Sequence, residues 1–109
     1  ANIADFARLV NEINPKHIEA LIALNRLFTI AEEWNKADGF VPDYSDWYQD
    51  KWFPWFRYDQ GTAVFVYAAA DNAPTNEDAI VGSRLCFKTK ERAAQFGKQF
   101  ADLYNKVLL

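Results

Sequence analysis

Three aspartates, Asp43, Asp46 and Asp50, stand among Tyr44, Trp47, Tyr48 and Trp52 in the stretch FVPDYSDWYQDKW. Aromatic faces stack on sugar rings, and two carboxylates can divide the acid and base work of glycoside hydrolysis. The pattern therefore suggests a small carbohydrate-binding module that uses Trp47, Tyr48 and Trp52. Hydrolysis itself normally needs a scaffold much larger than 109 residues, so no enzyme is expected. The aspartates do not follow the D-x-[DN]-x-[DN]-G calcium loop, and neither does DNAPTNED at 71–78. His17 has no second histidine to join it at a transition metal. Cys86, in SRLCFK, has none of the flanking residues of a known nucleophile and reads as structural. With only four glycines there is no phosphate-cradling motif. No cofactor and no metal are expected.

The elements that would position these residues must fit a single domain, 1–109, whose 50% hydrophobic and 25% charged composition is that of a folded protein. One cysteine excludes an internal disulfide framework and favours a reducing compartment. No run approaches the ~18 apolar residues of a membrane span, so a soluble, cytoplasmic protein with no membrane partner is the expectation. Charge is uneven. Eight acidic and two basic residues lie between Asp38 and Asp78, against seven acidic and ten basic elsewhere. An acidic, aromatic middle repels phosphate backbones, which makes a nucleic-acid partner unlikely.

Apolar residues Ile3, Phe6, Leu9, Val10 and Ile13 are spaced as on one helix face. Asn14 as N-cap and Pro15 at the first position start a second helix that runs to about Lys36. Its apolar residues, from Ile18, Leu21 and Ile22 to Phe28 and Trp34, cover more than one stripe, which predicts a central helix with two neighbours. Gly39 ends it, and the loop at 40–51 is expected to be pinned by its aromatics. Three strands follow, at Trp52–Tyr58, Thr62–Ala69 and Ser83–Lys88, the first two joined by Asp59-Gln60-Gly61. Thr89 caps a last helix reaching the end of the chain, and Gly97 inside it marks a close approach by another element. The fold class is α+β: two N-terminal helices, a three-stranded antiparallel sheet and a C-terminal helix.

The string from LIALNRLFTIAEEWN through PDYSDW and WFPWF to GSRLCFKTKERAAQFGKQFADLYNKVLL resembles small proteins of unassigned function from phages and prophage-like elements of gut anaerobes. It covers residues 16 to 109, and departs from that pattern in the longer, more acidic turn NKADGFVPDYSDW. The resemblance implies a phage-type accessory protein and carries over no functional residue.

The twelve positions from Trp47 to Tyr58 hold seven aromatic residues, more than one small core can enclose. The expected function is therefore non-enzymatic binding of a protein partner, host or phage, through an aromatic sheet face and the loops at 40–51 and 70–82. The candidate binding residues are Trp47, Tyr48, Trp52, Trp55, Phe65 and Tyr67. Strands apolar on both faces also suggest a homodimer that buries the second sheet face or an edge strand, unless the loop at 40–51 folds back over Phe65 and Tyr67.

Overall fold

The computed structural model describes residues 11–46, 48–72 and 84–109. The helix expected over Ile3–Ile13 and the aromatic Trp47 fall largely or wholly outside them. Asn14 caps as the sequence predicts: its side chain accepts from the Lys16 N–H at 2.9 Å and opens a 3-10 turn, Pro15–His17. Helix α1 continues from there over Ile18–Ala37 and stops where Gly39 takes φ 64°, a backbone conformation that glycine adopts without a steric cost.

Strands β1 (Trp52–Asp59) and β2 (Val64–Asn72) pair antiparallel, with Tyr58 opposite Phe65 and Phe56 opposite Tyr67. A bulge at Trp55/Phe56 leaves Ala68 as the extra residue on β2. Among the described residues the sheet has two strands, not the three that the sequence pattern suggests. Of the described part of the expected third strand, 84–88, only Phe87 pairs, exchanging both backbone hydrogen bonds with Trp52 at 2.9 and 2.6 Å. Pro54 supplies the reason. Because Trp52 turns its backbone groups away from β2, Pro54 is the next residue to face that edge, and it has no N–H to offer. The alternation expected across this segment is also absent, since Leu85, Cys86 and Phe87 are all buried.

The C-terminal segment forms two helices rather than one, α2 (Lys90–Gln99) and α3 (Ala101–Leu108), with Phe100 between them at φ −110°, ψ 25°. Thr89 caps α2 as expected, accepting from the Arg92 N–H at 3.1 Å. The break at Phe100 lets the two helices serve different neighbours. In α2, Gly97 lies so close to β1 and β2 that a Cβ there would stand 2.7 Å from Pro54 Cβ and 2.8 Å from Tyr67 Cδ1. In α3, Asn105 reaches the edge of β2, donating to the Phe65 carbonyl at 2.8 Å and accepting from its N–H at 2.7 Å, while the same helix packs along α1.

The core lies where these pieces meet. Leu27 and Ala31 of α1, Phe87, and Ala93 and Phe96 of α2 are fully enclosed. Trp34 presents its ring edge-on to Phe87, Phe96 and Phe100. Such aromatic pairs contribute ~0.5–1.5 kcal/mol each beyond the area they bury. Phe28, by contrast, is half-buried, with the Arg84 guanidinium 5.5 Å from its ring centre. Helix α1 buries the stripe Ala23, Leu27, Ala31 and Asn35; Ile18, Leu21 and Ile22 lie off that stripe and are 45–47% exposed. The helix does meet two neighbours, α3 along its length and the Phe87 and α2 side chains on its stripe, yet these three residues keep nearly half of their surface in water.

Candidate interaction surface

Strand alternation sorts the hairpin residues onto two faces. Trp52, Pro54, Phe56 and Tyr58 share one with Ala70, Tyr67 and Phe65; Phe53, Trp55 and Arg57 share the other with Ala69, Val66 and Val64. Helix contacts run through the first face: Pro54 and Tyr67 meet Gly97, Phe56 stacks on Tyr104 at 4.4 Å, and Lys98 Nζ sits 5.3 Å from the Tyr67 ring. Of the residues expected to bind, Trp52 and Tyr67 therefore belong to the helix-facing side. Phe65 lies there too, ring to ring with Tyr58 at 5.5 Å, towards the turn. Among the described residues, Gly97 of α2 reaches Tyr67 and Asn105 of α3 bonds the Phe65 backbone.

Trp55 is different. It is 42% exposed, at the centre of the outer face, with Phe53 and Val66 half-buried beside it and Arg57 exposed next to it. This is the one region among the described residues where an aromatic side chain, a cation and aliphatic groups share an open sheet surface.

The loop that carries Tyr48 is pinned by the buried Phe40 and the half-buried Tyr44, and is laced by hydrogen bonds. Asp43 accepts from the Ser45 N–H at 3.0 Å and from its hydroxyl at 2.6 Å; Asp46 accepts from the Tyr48 N–H at 2.9 Å. Gln49 bridges the loop, accepting from the Asp43 N–H and donating to the Val41 carbonyl. At the centre lies Lys51, only 2% exposed, whose ammonium donates to the carbonyls of Asp46 and Gln49 at 3.1 and 3.2 Å and lies 5.6 Å from the Tyr44 ring. Tyr48 is left 94% exposed. The three-residue sugar platform is not assembled by the described residues, since Tyr48 stands out in solvent while Trp52 packs against the core.

Two carboxylates are held in their charged form by neighbouring hydroxyls. The hydrogen bond from the Ser45 hydroxyl, with its backbone N–H, holds Asp43 below the usual carboxylate range, and the Thr62 hydroxyl does the same for Asp59. A general acid needs the opposite shift. Cys86 is buried, its Sγ 3.6 Å from the Tyr44 hydroxyl, and burial pushes its thiol up, away from the nucleophilic thiolate. His17 is exposed near the start of α1. No three potential ligands cluster as a metal site would require among the described residues.

Residue-type reasoning missed two polar anchors, Lys51 and Asn105. A lysine flanked by aspartate and tryptophan reads as a surface charge, and an asparagine one turn from a helix end reads as solvated. Lys51 is taken up by its own loop, through carbonyls two and five residues before it, and Asn105 answers the edge of β2, forty residues earlier. A third, Asn35, is buried in α1 and donates to the Cys86 carbonyl at 2.9 Å, tying that helix to the Phe87 segment.

A shallow groove of about 480 Å³ also runs between α1 and α3, lined by Pro15, Ile18, Ile22, Ala23, Arg26 and Lys106, with Glu19 ion-paired to Lys106 at 3.6 Å. No helix among the described residues is long and apolar enough to cross a membrane. No family model, curated protein or solved structure matches this chain.

Proposed function

We propose that this chain is a non-enzymatic accessory protein of phage type, acting in the cytoplasm, that binds a protein partner through the outer face of its hairpin with Trp55 as anchor. One observation carries the reading: the helices pack on the face that holds Pro54, Phe56 and Tyr67, while Phe53, Trp55 and Val66 form an apolar surface with a tryptophan at its centre and Arg57 at its side. Tryptophan and arginine are the residue types most often found to dominate binding energy at protein interfaces. The phage origin rests on the sequence resemblance alone.

The test is affinity capture from host lysate with the native chain and with Trp55→Ala. A partner held by the native chain and lost by Trp55→Ala, with an unchanged melting temperature, supports the proposal. A partner retained by Trp55→Ala moves the site elsewhere. Hits on a glycan array that Tyr48→Ala abolishes would replace this reading with the carbohydrate-binding one.

A further inference from the structure

The two edges of the hairpin are treated differently. Along β2, Asn105 takes up both backbone groups of Phe65, so that edge has a dedicated cap. Along β1, Trp52 is paired with Phe87, and Pro54 then stops the ladder. Strand alternation sets the remaining backbone groups. Residues 52, 54, 56 and 58 face away from β2, so Phe56 and Tyr58 present their N–H and C=O along an edge with no backbone partner among the described residues. An open edge of this kind is a template for another strand.

We infer that this edge pairs with the β1 edge of a second copy of the chain, antiparallel about a two-fold axis at Phe56, to make a continuous four-stranded sheet. The strand is complementary to itself in that register. Phe56 exchanges both backbone hydrogen bonds with Phe56 of the second copy. Tyr58 donates to the carbonyl of Pro54, so the missing proline donor falls at the rim, where the Tyr58 carbonyl meets water. On the outer face Arg57 stands opposite Trp55 of the other copy, twice by symmetry, which places a guanidinium against an indole.

Neighbouring registers are worse. An axis at Arg57 sets the two guanidinium groups against each other, and like charges directly opposite are destabilising. An axis at Tyr58 pairs Phe56 with Gln60, which already lies in the turn, and uses Asp59, whose carboxylate is held by the Thr62 hydroxyl at 2.7 Å. The same short strand supplies both halves of the complementary set, which is why a second copy fits it. The pairing would also relieve an intrinsic weakness, because a sheet of two strands is marginal by itself. It deepens the functional proposal, since the outer faces of two hairpins join into one surface with a Trp55 on each half.

An edge contact this short is smaller than the ~800 Å² per partner of a standard stable complex, so the dimer is weak. Sedimentation equilibrium of the full chain from about 10 µM to about 1 mM brackets such an affinity. The expected result is a mass that rises from 12.6 kDa towards twice that value. Arg57→Glu, at an exposed position, should weaken association at least tenfold without changing the melting temperature. Tyr58→Pro, which removes the outward donor, should abolish it. Leu21→Glu, on the exposed flank of α1, should leave it intact. A monomer at every concentration overturns the inference, as does a dimer that survives both strand variants. A chain that stays monomeric yet captures a partner through Trp55 defeats this inference alone. A dimer without any Trp55-dependent capture defeats only the functional proposal.

Discussion

The two faces of the hairpin are made from the same strands, yet one is filled to contact distance and the other is open. On the helix-facing side Gly97 has no room for a single added carbon, because Pro54 and Tyr67 already lie where it would go. On the outer side Trp55 keeps nearly half of its surface in water. The comparison shows that the aromatic density of this region is not one feature. Alternation divides it, and packing of α2 turns one half into core and leaves the other available for recognition.

The largest effect that can test this division is at Phe96, which is fully buried between Phe87, Trp34 and Phe100. Phe96→Ala should cost ~3–5 kcal/mol in chemical denaturation, a large share of the ~5–15 kcal/mol that holds a domain of this size. A loss below ~1 kcal/mol would mean that the core is elsewhere.

Gly97→Ala sharpens the comparison further. Alanine is the better helix former by about 1 kcal/mol, but its Cβ would overlap Pro54 and Tyr67, and overpacking of this kind costs ~1–3 kcal/mol. A net destabilisation is expected. A stabilised variant would show that the filled face is not filled.

Tyr104 offers a pH readout from the same face. Its hydroxyl is buried with no hydrogen-bond partner among the described residues, and burial pushes its pKa well above the usual value. The unfolded chain gives up this proton near pH 10, while the folded chain holds it. The folded state therefore binds more protons above that pH, and stability falls as pH rises from about 10, by up to ~1.4 kcal/mol per unit. Tyr104→Phe should flatten this decline and be neutral or stabilising at pH 7, because it removes an unsatisfied buried hydroxyl. An unchanged alkaline profile would refute the assignment.

The smallest expected effect is at Trp55. Trp55→Ala should change stability by under ~1 kcal/mol, since the side chain is open to water, while Phe56→Ala, one residue along the same strand, should cost several times more. Equal costs for the two would erase the distinction between the faces.

Local chemistry was legible wherever it acts over a few residues. Asn14 and Thr89 cap their helices, Gly39 ends α1, and the hairpin pairs as its apolar runs suggest, although its turn is longer than Asp59-Gln60-Gly61 and places Ala63 at φ 59°. The inference that Gly97 marks a close approach also holds, because a glycine in a helix interior carries a cost that packing must offset. What the sequence by itself determined, then, is the α+β class, the capped helix starts at Asn14 and Thr89 and the presence of an antiparallel pair. Caps, turns and alternation depend on neighbours within one or two turns of chain.

Only the tertiary structure decided which aromatics are core and which are surface. Trp52 and Trp55 are the same residue type three positions apart, and both satisfy a strand pattern. They part because Gly97, more than forty positions later, brings α2 onto one face. The tie from Asn35 to the Cys86 carbonyl, the capping of Phe65 by Asn105 and the reduction of the third strand to Phe87 have the same origin. Each depends on a group distant in sequence that takes up or withholds a hydrogen bond, and no local period encodes where that group will come to lie.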